Sequence, residues 1–296
     1  MKKGFSIITK FMKAKFGPGG NSAEFAASKP KSTADVAKWV SEYGLDAYEY
    51  EAGRGVSGSP ENFIKLGDKA KEYNVSLSFH APYFISLSGV EYETRMKSVG
   101  YIMQSLAAAH LMGAGIIVVH SGSAGKITRA EAMTLASDTL CEVVKAVSDT
   151  PYGNIKIGLE TMGKKNQLGT LDEVIELCKI HKCFRPVVDF GHINAFNLGE
   201  AFKTRDDYER VFTTIGEKLG DEYANELHCH FSKIMYTAGG EKKHLDLDDN
   251  EYGPPHEPLM EAIYKLKVSP TIICESCDFM DRDALRMKKY YETLGE

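Results

Sequence analysis

Residues 184–199, FRPVVDFGHINAFNLG, hold the key to the fold. A largely apolar run ends on Asp189, and His192 follows three positions later. A buried strand that opens abruptly onto a carboxylate and an imidazole is how a parallel barrel delivers ligands to its mouth. Taken alone, the pair fits a helix-capping aspartate and a hydrogen-bonded loop histidine equally well. The ends of the other strands decide.

Eight segments read as strands by their β-branched and apolar content and their Gly, Pro or polar borders: 13–17, 46–52, 75–80, 115–120, 155–160, 185–189, 226–232 and 271–275. Between them, Met96, Val99, Met103, Leu106 and His110 follow the spacing of one helix face. Val174, Leu177 and Cys178 do so after Asp172, and Leu259, Ile263 and Leu266 after Glu257. Asp172 and Ser32 stand where N-caps are useful. His110, on an apolar face, reads as a packed histidine. Strands alternating with helices argue for parallel βαβ units. Eight such pairs in 296 residues match a (β/α)8 barrel, typically about 250 residues plus insertions. The expectation is a single α/β domain over residues 1–296, a TIM barrel whose site lies at the carboxyl ends of the strands.

The alternative, an open doubly wound sheet, normally marks its first crossover with a nucleotide fingerprint. Residues 53–58, GRGVSG, match GxGxxG, but they follow the second strand and lack a clear ribose-binding acid. They read as a glycine loop with Arg54 as a ligand-facing tip. Residues 236–258, with three glycines, a charge run and three prolines, read as an ordered functional loop or lid containing His244.

Composition narrows the function classes. With 43% hydrophobic and 26% charged residues the chain can bury a large core. A net charge of −5 gives no overall basic field for nucleic acid or membrane, although Lys and Arg are spread along the chain. No apolar run reaches the length of a membrane-spanning helix. The start, MKKGFSIITKFMKAKFG, has the basic residues of a signal peptide, but Thr9 and Lys10 interrupt its apolar run, so cytoplasm is the expected location. The six cysteines form no small-domain disulfide framework. Cys274 and Cys277 match CxxC at a strand end rather than a helix start, and read as reduced thiols.

The strand ends converge on one chemistry. They carry His80, His120, Glu160, Asp189 with His192, His228 with His230, and Glu275. Each alone is explained by a polar residue meeting water at the end of a strand. Together they form a mixed nitrogen and oxygen donor set suited to Zn²⁺, Mn²⁺ or Fe²⁺, numerous enough for two or three ions. Without cations, so many convergent carboxylates repel one another. HExxH, P-loop and GxSxG motifs are absent, so nothing supports a serine nucleophile.

The order HAPY (80–83), VVHSGS (118–123), LETMG (159–163), VVDFGH (187–192), LHCHFSK (227–233), KKHL (242–245) and ICES (273–276) resembles the endonuclease IV family of apurinic/apyrimidinic endonucleases, in the xylose-isomerase-like barrel superfamily. The resemblance implies a trinuclear zinc centre. His80 and His120 would hold one metal, bridged by Glu160 to a second held by Asp189, His228 and Glu275, with His192 and His244 on the third. Tyr83 matches a site-lining tyrosine, and Arg54 lies where a loop arginine enters DNA. One position departs: where the family has the aspartate of Asp-x-His, this chain has Lys242. A protonated lysine cannot ligate. Glu241, Asp246 and Asp248 are the substitutes at hand.

Two enzyme classes follow. The first is metal-dependent hydrolysis of a phosphodiester at an abasic site in double-stranded DNA. Glu160 or Glu275 would orient the nucleophile and Lys233 would contact phosphate. The second is a sugar isomerase or epimerase using Glu160, Asp189, His228 and Glu275 around one metal. The four further histidines, His80, His120, His192 and His244, favour the hydrolase. A third reading, motivated by Lys242, is a barrel that binds abasic DNA without cutting it.

Overall fold

The computed structural model describes residues 13–295. Most of the basic amino-terminal stretch weighed as a signal peptide therefore lies outside the described residues. Eight strands, β1 (Lys15–Pro18), β2 (Ala47–Glu51), β3 (Ser76–His80), β4 (Ile116–His120), β5 (Lys156–Glu160), β6 (Phe184–Asp189), β7 (His228–Phe231) and, after the hairpin β8 (Lys233–Thr237) and β9 (Gly240–Leu245), β10 (Thr271–Cys274), build the barrel. All eight expected strands are present, with ends shifted by no more than two residues. They pair in parallel in the order β1-β10-β7-β6-β5-β4-β3-β2. β1 and β2 close the ring: the Asp46 amide donates to the Phe16 carbonyl at 2.8 Å, and the Gly20 amide to the Glu49 carbonyl at 2.9 Å. Gly17 permits this approach, because a Cβ there would lie 1.7 Å from the Ala47 carbonyl oxygen.

Side chains on a strand alternate between its two faces. Phe16, Tyr48, Phe79, Ile117, Val119, Leu159, Val188, Cys229, Phe231 and Ile272 are buried in the hydrophobic core that joins sheet to helices. The intervening positions carry Lys15, Glu49, Ser78, His80, His120, Glu160, Asp189, His228 and His230. The inner face of this barrel is therefore polar over much of its length, where branched apolar residues are usual.

The expected helix faces form. Met96 through His110 lie in the helix Tyr92–Met112, but His110 is exposed rather than packed in the core, with its ring 5.5 Å from that of Tyr152 at the surface. The N-cap before Leu171–Cys178 is Thr170, whose hydroxyl accepts from the Glu173 amide; Asp172 lies inside the first turn and pairs with Lys218. Residues 236–258 are not irregular throughout, because their first part is the antiparallel hairpin of β8 and β9. The rest is stitched to the segment after β10. Asp246 accepts from the amides of Asp278 and Phe279, and buried Asp283 accepts from the Leu247 amide and the Ser276 hydroxyl. Cys274 and Cys277 are free thiols, and burial pushes Cys274 up to about 12. Among the described residues no helix is long and apolar enough to cross a membrane.

Candidate metal centre

Several overlapping groups of donors stand at the carboxyl ends of the strands and just below them, among them His80, His230 and Glu275, and Glu49, His228 and His230; three lie side by side at the mouth. His80, His120 and Glu160 make the first; Glu160, Asp189, His230 and Glu275 the second; His192, Glu241 and His244 the third. Glu160, 1% exposed, sits between them. Its Oε2 is 3.5 Å from His80 Nε2 and 3.3 Å from His120 Nε2, while Oε1 is 3.2 Å from His230 Nδ1 and 3.3 Å from His192 Nδ1. Glu275 Oε1 lies 3.3 Å from His230 Nδ1. His192 Nε2 faces Glu241 Oε2 at 3.4 Å, and His244 Nε2 is 3.9 Å from Glu241 Oε1.

This arrangement sets His228 apart from Asp189 and groups it with Glu49 and His230 instead. The register of β6 and β7 pairs Asp189 with His230 and Val187 with His228. His228 thus lies two residues, about 6–7 Å, below the level of the ligands. Its Nε2 meets Glu49 at 2.8 Å. Both histidines of LHCHFSK lie on the inner face, so alternation cannot choose between them; cross-strand register does.

Glu241 answers the question posed by Lys242. On β9 the register with β8 shifts between Met235, which faces Lys243, and Tyr236, which faces Glu241. Lys242 is the extra residue of a β-bulge and is exposed. The bulge puts Glu241 and His244, three apart in sequence, on one side of the strand, where a regular strand needs a spacing of two.

The donors fit cations. Metal-binding histidines usually have the second ring nitrogen fixed by a carbonyl or carboxylate. Here His80 Nδ1 lies 2.8 Å from the Ala81 carbonyl, and His192 Nδ1 3.0 Å from that of Thr161. His244 Nδ1 is 2.9 Å from Ser232 Oγ, whereas His230 Nε2, 2.8 Å from Glu49 Oε1, makes an ion-pair contact without a hydrogen bond. Glu160 Oε2 and Asp189 Oδ2 are buried with no hydrogen-bond partner among the described residues. Gly163 leaves the space in which the third group forms, because a Cβ there would lie 2.7 Å from Glu241 Cβ and 3.1 Å from His192 Cδ2.

Electrostatics tell the same story. Burial opposes charge on Glu160, yet the imidazoles of His120, His192, His230 and His80 hold it well below the usual carboxylate range. Burial pushes Glu275 up to about 8, with Glu160 and Asp189 adding to it against His230. Burial lowers every imidazole here, but Glu51 and Glu160 outweigh it at His80, which rises to about 10. Asp189, Glu160 and Glu241 raise His192 in the same way, and Glu275, Glu49 and Glu160 raise His230. At His120 and His244 burial wins and the rings are lowered. The carboxylates of the centre thus favour protons on His80, His192 and His230, which a cation would displace.

A cavity of about 470 Å³ opens over the donors, lined also by Glu51, Met162, Lys164, Gln167 and Met280. Tyr83, 56% exposed, stands on its rim. Arg54 is exposed in the loop after β2 and does not line the cavity. Neither does Lys233, whose ammonium donates to the Asp249 carbonyl. His80, His120, Glu160, Asp189, His192, His244 and Glu275 are thus brought together, while His228, Arg54 and Lys233 are not. Glu49 and Glu51 went unnoticed in the sequence, though the alternation in DAYEYEA sets both on the face opposite Tyr48 and Tyr50.

The sequence profile of the xylose isomerase-like TIM barrel matches residues 37–289. An uncharacterised protein of Methanocaldococcus jannaschii is 28% identical over 273 residues, 90% of this chain and 96% of its own. A probable endonuclease 4 of Acholeplasma laidlawii is 25% identical over 244 residues, 74% of this chain and 78% of its own. Among solved structures, a D-tagatose 3-epimerase-like protein superposes with a TM-score of 0.68 at 23% identity, covering 95% of this chain and 98% of its own. With a profile match that spans most of the barrel, the chain belongs to the xylose isomerase-like TIM barrel family.

Proposed function

We propose that the protein is a divalent-metal-dependent phosphodiester hydrolase acting at abasic sites in double-stranded DNA. One observation carries this: three donor groups lie side by side around Glu160, and the third is complete because Glu241 stands in for the residue that Lys242 replaces. An isomerase that exchanges a proton beside a carbonyl needs only the group formed by Glu160, Asp189, His230 and Glu275. Bound divalent ions supply Lewis-acid polarisation of phosphate and of the attacking water. The nitrogen and oxygen donors suit Zn²⁺, and Mn²⁺ or Fe²⁺ fit the same set. The similarity to a probable endonuclease 4 supports the same reading.

The chain's own residues would divide the work. Glu160 and Glu275 border the cavity and orient the attacking water; Glu160 also ties the groups together. Exposed Tyr83 and Phe84 offer aromatic faces to unstacked bases. Exposed Lys164, Lys165, Lys242 and Lys243 lie around the contact between the 163–165 turn and the hairpin, marked by the pairing of Lys164 with Gly240. This local basic edge serves phosphate contacts despite the acidic net charge. It replaces Arg54 and Lys233 as the preferred contact set.

The second reading is a sugar isomerase or epimerase, favoured by the four-residue group and by a cavity large enough for a monosaccharide. Metal content and a paired assay separate the two. Close to three ions per chain and incision of an abasic duplex are expected. One ion per chain, with no incision across Zn²⁺, Mn²⁺ and Fe²⁺, would replace the hydrolase with the isomerase. Binding of abasic DNA without incision at full metal loading would favour the non-catalytic barrel.

A further inference from the structure

Below the three groups at the mouth, the barrel axis holds the carboxylate of Glu49, which makes a further donor group with His228 and His230. Glu49 on β2 is fully buried, and both of its oxygens meet imidazoles. Oε2 is 2.8 Å from His228 Nε2, and Oε1 is 2.8 Å from His230 Nε2. The ring of His230 therefore spans two environments. Its Nε2 touches Glu49, while its Nδ1 lies 3.2 Å from Glu160 and 3.3 Å from Glu275. His228 in turn lines two cavities at the amino-terminal end of the barrel, of about 340 and 290 Å³. A file His228–Glu49–His230 thus runs along the axis and ends in the second donor group.

A buried carboxylate needs compensation, and a single histidine is enough for an ordinary buried pair. The second imidazole, with its far nitrogen inside the donor group, calls for another explanation. We propose that Glu49 is a positioning residue for the metal centre. Its Oε1 lies 2.8 Å from His230 Nε2 as an ion-pair neighbour without hydrogen-bond alignment, so its charge favours the proton on Nε2 and leaves Nδ1, which faces Glu160 and Glu275, for a cation. His228 anchors Glu49 from the opposite side.

The inference rests on the donor groups holding metal, and the test separates the two claims. Wild type and Glu49→Gln are stripped with chelator and titrated with Zn²⁺ and Co²⁺ by calorimetry, with thermal unfolding of the metal-free proteins and Co²⁺ absorption spectra recorded in parallel. Glu49→Gln is expected to fold, to bind one ion about 10–100-fold more weakly, and to show altered Co²⁺ bands. Equal affinity with unchanged bands would overturn the inference and leave the metal reading standing. A wild type that binds no ion would overturn both. If Glu49→Gln does not fold, ¹⁵N spectra of zinc-loaded wild type decide. His230 with a protonated Nε2 and a metal-bound Nδ1 is expected, and zinc on Nε2 would refute the proposal.

Discussion

Deleting a single lysine tests the architecture of the third donor group most sharply. Lys242 is the extra residue of the bulge, with Lys243 opposite Met235 and Glu241 opposite Tyr236. Its removal leaves Glu241-Lys243-His244 on a regular strand, with the acid two positions before the histidine and on the same face. The pairing of β8 with β9 is unchanged. The residue lost costs about 1–2 kcal/mol of backbone entropy to order. The deletion is therefore expected to leave stability unchanged or to raise it by up to that amount, a gain of a few degrees in Tm for a chain of this size. Metal content should not change. Glu241→Gln, by contrast, removes the carboxylate that faces the Nε2 atoms of both His192 and His244. It should weaken the third ion at least as much as losing an outer-shell partner does, about 10–100-fold or ~1.4–2.7 kcal/mol. Moving the acid, with Glu241→Ala and Lys242→Asp together, should not restore it. Elemental analysis after dialysis and calorimetric titration read all three variants. Loss of one ion on deletion of Lys242, or its recovery in the double variant, would show that the bulge does not deliver Glu241.

Three further outcomes are expected. Gly163→Ala drives a methyl group into Glu241 and His192, so it should remove one ion while the barrel stays folded, at a cost of about 1–3 kcal/mol in unfolding titrations. Glu160→Gln keeps the shape but removes the charge that four imidazoles share; it should abolish activity with the circular-dichroism spectrum intact, and retained turnover would contradict its central role. The third concerns pH. Glu275 is raised from 4.5 to about 8 and His80 from 6.5 to about 10. Each contributes stability that is present below its unfolded value and lost as pH rises through its folded value. Metal-free protein should therefore lose Tm between pH 7 and 9, and the Tm gain on adding Zn²⁺ should grow over the same window. A metal-free Tm that rises across it would show that these groups are not held as described.

Much of the barrel was legible because each strand is an apolar alternation ending in a polar residue, a pattern that follows from a two-residue period with one face in the core. The short helix after β6 and its histidine followed from Asp189, whose side chain accepts from the His192 amide at 2.7 Å. Other features depend on pairing, which no single segment encodes. His228 and His230 share a face, so only the register against β6 separates them. Glu241 is one of three candidate substitutes in the sequence, and only the bulge at Lys242 selects it over Asp246 and Asp248; GGEKKHL, rich in glycine and charge, reads as a loop rather than half of a hairpin. Glu49 was hidden by its tyrosine neighbours, since a strand judged by its apolar content says nothing about what its other face is for.

The position of that hairpin ties the centre to whatever lies over the barrel. Two donor groups are carried by barrel strands and the positions next to them, held from both sides. The third takes His192 from the short helix after β6, but Glu241 and His244 from β9, which pairs with β8 outside the ring and is bridged to the 163–165 turn through Lys164 and Gly240. A ligand that levers the hairpin outward by one side-chain length removes two of the three donors of that group and none from the others. A ligand that presses it down brings them closer. If the three groups hold metal as proposed, the number of ions bound would depend partly on the occupant of the mouth, and the third group would register how well that occupant fits.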